Sequence, residues 1–218
     1  MLLIDFGNRI DSLLNEEVVR IYRHLKGLTF PFIKDIVPGY SSLAVYYDAL
    51  LLTVEHGGSP FQTISTIIKK ALQKTDAIFS EKRQLRVPVC YSLAFGPELK
   101  IISRQTGLSN DDIIQLHTSG TYRVYMIGFL PGFAYMGEVD ERIAMPRLLQ
   151  PRTSVPEGSV GIAGKQTGIY PLASPGGWNI IGRTPLKLFD KDKEAPTFFN
   201  PGDEVTFYSI TEDEFAHY

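Results

Sequence analysis

The chain has 218 residues, 44% of them apolar, enough for one large domain or two small ones with a real core. Its 22 basic and 24 acidic residues leave a net charge of −2, so no basic excess points to nucleic acid or an anionic membrane as partner. The single cysteine, Cys90, excludes an internal disulfide and fits a reducing cytoplasm; flanked by Val87-Pro88-Val89 and Tyr91, it reads as a buried, inert thiol.

The first residues, Met1-Leu2-Leu3-Ile4-Asp5-Phe6, carry neither the basic stretch nor the long apolar run of a secretion signal. No apolar run approaches the roughly 20 residues of a membrane span. Leu3 to Phe6 predicts a short strand. Leu14, Val18, Ile21 and Leu25 then recur at helical spacing, with Asp11 and Ser12 as candidate caps and Gly27 as the stop. Phe32 to Val37 and Leu43 to Tyr47 read as strands, the first ended by Pro38-Gly39. Ser59-Pro60 opens a second helix through a capping hydroxyl and a proline at the first helical position. Phe61, Ile64, Ile67, Ile68 and Leu72 follow on one face, and Leu85 to Cys90 closes with another strand. The order β-α-β-β-α-β predicts a ferredoxin-like α/β sandwich over residues 1–88.

Two short helices follow, Pro97 to Gln105 ended by Gly107, then one opened by the capping box Ser109-Asn110-Asp111-Asp112 and ending near Leu116-His117. From Thr121 the texture changes: 11 of the 19 glycines and 9 of the 14 prolines fall between Gly128 and Gly202. Short strands punctuated by Pro-Gly turns predict a compact β barrel, so residues 89–218 form the second domain of an α+β protein.

Several chemistries fail on spacing. Gly161-Ile162-Ala163-Gly164-Lys165-Gln166-Thr167 lacks the first glycine and the hydroxyl after lysine that a phosphate loop needs, and it precedes no helix. His24, His56, His117 and His217 are scattered, so no metal site is predicted. No Gly-x-Ser-x-Gly elbow is present.

Other residues favour a polar cleft. Phe129 and Phe133 flank the Pro131-Gly132 turn, and the three residues Phe129, Pro131 and Phe133 read either as a packed hairpin tip or as a rigid aromatic wall. Arg147 and Arg152 each follow a proline, which suits a carboxylate or phosphate, or a surface salt bridge. Gln166, Thr167 and Tyr170 offer donors and acceptors among small residues that permit close backbone approach to a ligand. Gly176, Gly177, Trp178 and a third arginine, Arg183, complete the set. His117, at a helix end, reads either as a dipole cap or as a proton carrier near neutral pH.

The runs Gly128-Phe-Leu-Pro-Gly-Phe-Ala-Tyr, Pro146-Arg, Pro151 to Pro171, Ser174-Pro-Gly-Gly-Trp and Gly182-Arg-Thr-Pro resemble the KipI/PxpB family, also called the 5-oxoprolinase B component or allophanate hydrolase subunit 1. Val37 to Leu43 and Pro201 to Val205 also fit. The resemblance implies a cyclophilin-like barrel after the small domain. It implies work with a KipA/PxpC-type and a PxpA-type subunit in a complex, inactive as a single chain, that spends ATP, with Mg, to open 5-oxoproline to glutamate. It implies no cofactor bound in this chain. On that reading Arg147, Arg152 and Arg183 hold a carboxylate or phosphoryl group, His117 shuttles a proton, and Gln166 and Tyr170 orient the lactam. The family also contains an inhibitor of a sensor histidine kinase and urea carboxylase-type components, which stand as alternatives.

Overall fold

A computed structural model of the chain describes residues 1–7, 9–73 and 82–218, and divides it into two compact units at Glu81 and Lys82. In the first unit, β1 (Leu2–Asp5), β2 (Ile33–Pro38) and β3 (Ser42–Tyr47) form an antiparallel sheet of order β1-β3-β2. Helix α1 (Ser12–Lys26) starts where the Asp11 carboxylate accepts from the Leu13 and Leu14 N–H groups, and it stops at Gly27. It buries Val18, Ile21 and Leu25. Helix α3 (Pro60–Gln73) buries Ile64 and Ile68 into the same core as Leu43 and Val45. Between them lies α2 (Ala49–His56), capped by Asp48, which the periodicity does not reveal because it is apolar nearly all round.

The ferredoxin-like expectation needs a fourth strand in this sheet, and the strand goes elsewhere. β4 (Gln84–Val89) pairs in parallel with β12 (Glu204–Ser209), in the second unit. Pro88 lacks a ladder donor, which an edge strand tolerates, and β4 is an edge. The expected boundary at 88/89 therefore cuts through an element of the second unit.

That unit holds a seven-stranded sheet of order β11-β8-β9-β6-β5-β12-β4. Its further strands are β5 (Thr121–Ile127), β6 (Ala134–Gly137), β8 (Ser159–Ala163), β9 (Gln166–Ile169) and β11 (Asn179–Arg183). The two edges meet where Cys90 and Arg183 exchange backbone hydrogen bonds of 2.8 and 3.0 Å, so the sheet is curled round a core. Val87, Val124, Met136, Val160, Ile162, Ile169, Ile181 and Phe207 fill that core. Helices α4 (Leu99–Thr106) and α5 (Asn110–Ser119) add Leu99, Ile102 and Ile113 to it. Both halves of the Ser109–Asp112 capping box are formed, and Gly107 ends α4 at φ +75°. A separate two-stranded ribbon, β7 (Arg152–Val155) with β10 (Ser174–Gly176), and a short C-terminal helix, α6 (Glu212–Ala216), complete the unit. No helix among the described residues is long and apolar enough to cross a membrane.

A candidate ligand cavity on the outer face of the curled sheet

Strand alternation divides the functional candidates between two faces. On β9, Thr167 and Ile169 point inward, while Gly168 and the following Tyr170 point outward. On β6, Met136 points inward and Tyr135 outward. Tyr135 lies opposite Gly168, and Gly168 opposite Gly161. This pair of glycines makes a flat floor. A Cβ at Gly168 would come within 3.1 Å of the Trp178 ring, and one at Gly161 within 3.1 Å of the Trp178 Cβ. The close approach that these small residues permit is thus taken by Trp178 rather than by a ligand.

Around that floor Phe133, Val155, Ala163, Tyr170, Trp178 and Ile180 form a small second core. Phe133 meets Tyr170 and Trp178 edge-on, with ring centroids 5.2 and 5.4 Å apart. Gly176 has no room for a side chain, since a Cβ would lie 2.3 Å from the Tyr170 hydroxyl. Burial, first of all, raises the Tyr170 pKa against the lowering pull of the Trp178 N–H and the nearby Arg147 and Arg152. The phenol is neutral at physiological pH and able to donate.

A cavity of about 260 Å³ opens against this cluster. Phe129, Phe133, Tyr135, Tyr170 and Trp178 give it aromatic walls; Pro151, Pro175, Gly176 and Gly177 form a backbone rim; Arg147 supplies a charge. The turn between β5 and β6 sets Phe129. Gly128 N–H donates to the Phe133 carbonyl at 3.0 Å, and Phe129 is held at φ +69°, a left-handed conformation that non-glycine residues rarely adopt. Its ring is 65% exposed, whereas Phe133 is fully buried.

Arg147 projects from a loop that is tied down twice. Leu148 N–H donates to the Gly177 carbonyl at 2.7 Å, and buried Asn179 donates through Nδ2 to the Pro146 carbonyl at 2.8 Å. The Arg147 guanidinium lies 5.9 Å from the Trp178 ring centroid and pairs with no carboxylate among the described residues. An exposed cation over an aromatic face, with phenol donors beside it, suits a small anion carrying a flat polar group.

The other candidates lie elsewhere. Pro131 is exposed on the turn, outside the cavity lining. Gln166 shares the outer face but stands at the far end of β9, opposite Gly137. Arg183 donates to the Glu157 carbonyl at 2.7 Å and rests against Phe95 and Phe215. Arg152 is engaged by Glu98, a buried carboxylate whose role local sequence does not signal. Tyr135 is a lining residue carried by the aromatic run yet absent from the expected set.

His117 and Thr167 are inside the curled sheet, across it from the cavity. His117 is completely buried, with Nδ1 2.7 Å from the Tyr91 hydroxyl and Nε2 2.9 Å from Thr167 Oγ1. Thr167 donates to the Gly161 carbonyl at 3.1 Å. Thr167 therefore accepts from His117 Nε2–H, and Nδ1 accepts from Tyr91. This chain of hydrogen bonds needs a neutral imidazole, and burial lowers the His117 pKa to about 3. It is a satisfied core histidine, stacked on Tyr122 and Phe207, rather than a proton carrier at neutral pH.

A family model described as the carboxyltransferase domain, subdomains C and D, matches residues 1–199. The B component of 5-oxoprolinase from Bacillus subtilis is 38% identical over 221 residues, spanning 100% of this chain and 92% of that protein. The corresponding B component from Escherichia coli is 46% identical over 135 residues, 62% of each chain. A solved structure of a conserved uncharacterized protein from Pyrococcus horikoshii is 43% identical, with a TM-score of 0.59 over 98% of this chain and 95% of that one.

Proposed function

Because the chain belongs to the carboxyltransferase-domain family, and within it to the 5-oxoprolinase B components, we propose that it serves as the B component of an ATP-dependent 5-oxoprolinase. The observation that carries the reading is the 38% identity to a protein of that name along the whole chain. The cavity supports it, since 5-oxoproline is a small anion with a flat lactam. Arg147 takes its carboxylate. The Tyr170 hydroxyl donates to the lactam carbonyl, and the aromatic walls exclude water from the ring.

A lactam resists hydrolysis because its amide resonance must be lost. In the complex ATP would phosphorylate the lactam oxygen with release of ADP; one water would then add to the activated carbon and the carbon–nitrogen bond break to leave a glutamyl phosphate, from which a second water would release glutamate and phosphate. The Gly161–Thr167 segment is the hairpin between β8 and β9, with no helix N-terminus behind it, so this segment is not a phosphate loop. On this reading ATP and its Mg are assigned to partner subunits of the KipA/PxpC and PxpA types. The chain alone is inactive on this reading, works in the cytoplasm, and keeps a cyclophilin-like barrel as the frame of its half-site.

The test is reconstitution with those partners, reading glutamate release from 5-oxoproline and ATP. No turnover with folded, assembled subunits overturns the reading. The match to a carboxyltransferase domain, with partial similarity to a urea carboxylase and a urea amidolyase, supports a second one, carboxyl transfer to a urea-like substrate. That predicts turnover only with a biotin-bearing partner.

A further inference from the structure

The wall of the cavity depends on a ribbon that has no ladder of its own to the curled sheet. β7 and β10 pair only with each other. Arg152 opens β7, directly after the lining residue Pro151 and opposite the lining residue Gly176. Its guanidinium forms an ion pair with Glu98 and donates to the Trp178 carbonyl at 3.3 Å. Glu98 is 4% exposed and stands just before α4. Its second carboxylate oxygen accepts from the Ile180 N–H at 2.8 Å, and its own N–H donates to the Ile180 carbonyl at 3.2 Å. One carboxylate thus joins the start of α4, strand β11 and the ribbon.

We propose that Glu98 and Arg152 are positioning residues for the ligand cavity, a buried strut that fixes the ribbon and Trp178 so that the wall is preformed. This role rests on the cavity being the substrate site. Arg152 is not among the cavity lining, and its donors already serve Glu98 and Trp178, so it holds the wall rather than the substrate. The link is directional. A carboxylate at position 98 satisfies the Ile180 N–H, which a guanidinium there would leave without an acceptor. Exchanging the two charges therefore breaks the strut instead of restoring it.

Trp178 is the only tryptophan of the chain, so its emission reports the wall directly. The control is Arg83→Lys, which disturbs a second ion pair, to the buried Asp203, at residues that do not line the cavity. The variants are Arg152→Lys, Glu98→Gln and the exchange Glu98→Arg/Arg152→Glu, each in the full chain. Glu98→Gln keeps an oxygen for Ile180 and carries the test if Arg152→Lys does not fold. Arg152→Lys and Glu98→Gln are expected to red-shift Trp178 emission and raise its quenching by acrylamide about twofold, with unchanged far-UV circular dichroism, while Arg83→Lys lowers the unfolding midpoint without moving either signal. In the reconstituted complex the KM for 5-oxoproline should rise about tenfold with kcat within about twofold. Wild-type emission and quenching in both strut variants, an equal shift in Arg83→Lys, or rescue by the exchange overturns the proposal. The optical arm needs no substrate, so a moved Trp178 in a wild-type complex without turnover supports the strut and refutes only the proposed reaction.

Discussion

The strands β6, β8, β9 and β11 present two faces of opposite character, though neighbouring residues of one strand supply both. Inside, Thr167 and His117 are polar, dry and fully satisfied, and they belong to the packing. Outside, Tyr135 and Tyr170 line a cavity, Phe129 is strained and exposed, and Arg147 has no carboxylate partner among the described residues. Polarity alone does not mark a functional residue in this fold. What separates the faces is enclosure: the inner polar groups are buried and hydrogen-bonded to one another, whereas the outer face carries an exposed charge, Arg147, beside a cavity.

The largest effect is expected at His117, on the inner face. His117→Ala removes a buried ring stacked against Tyr122 and Phe207, and it leaves the Tyr91 hydroxyl without its acceptor and the Thr167 hydroxyl without its donor. A loss of about 3–5 kcal/mol is expected, as for other large aromatic truncations with unsatisfied neighbours, read from urea unfolding. Binding of 5-oxoproline by the folded fraction should be unchanged. A loss below about 1 kcal/mol would mean that the inner face is not packed round this residue.

Arg147 gives the converse result. Arg147→Ala should weaken 5-oxoproline binding about ten- to a hundredfold, the ~1.5–3 kcal/mol of a charge-assisted contact, measured by calorimetry with the assembled complex. The unfolding free energy should stay within about 0.5 kcal/mol of wild type, as expected for an exposed side chain with no carboxylate partner among the described residues. A large stability loss without a binding defect would reverse the assignment of the two faces.

Proton linkage sharpens the inner face further. The folded pKa of His117 is about 3, below its unfolded value of 6.5. Its contribution is therefore fully present above pH 6.5 and is lost as pH falls toward about 3, because the unfolded chain takes up the proton first. The slope from this one group is roughly 1.4 kcal/mol per pH unit in that window. Comparing wild type with His117→Gln isolates it from the carboxylates. Parallel pH profiles would show that His117 titrates normally and is not enclosed.

The elements with chemical punctuation were legible from sequence. Asp11 before α1 and the Ser109 box before α5 satisfy helix ends locally, and Pro60 opens α3 at the position where no N–H partner is needed, so a short window contains the reason for each helix. The aromatic run round Pro131-Gly132 and the Gly176-Gly177-Trp178 segment likewise pointed to the cavity, because both break the usual rules for strands. Long-range choices were not legible. β4 obeys the same alternation wherever it pairs, and its partner β12 lies far along the chain. Arg152 and Glu98 are 54 residues apart, so proline-presented arginines look alike until one meets its carboxylate. Thr167 and Gly168 differ only by the side of the sheet, which depends on register and not on residue type.

Phe129 tests the outer face at its finest scale. At φ +69° a phenylalanine carries roughly 1–2 kcal/mol of backbone strain that glycine does not, and at 65% exposure its ring returns little of that through burial. Phe129→Ala keeps the strain and loses the ring; Phe129→Gly loses both. The glycine variant should therefore be the more stable of the two by about 1 kcal/mol in thermal unfolding, even though glycine is the more flexible residue when unfolded. Both variants remove the T-shaped contact with Phe133, whose centroid lies 5.8 Å away, and both should bind 5-oxoproline about two- to fivefold more weakly. A residue kept in an unfavourable conformation for a weak packing return, but needed at the cavity mouth, is the pattern expected where local stability yields to a site. Equal stabilities for the alanine and glycine variants would show that the turn relaxes without strain. Unchanged binding in both would take Phe129 out of the cavity wall and leave Arg147 and Tyr170 as its working edge.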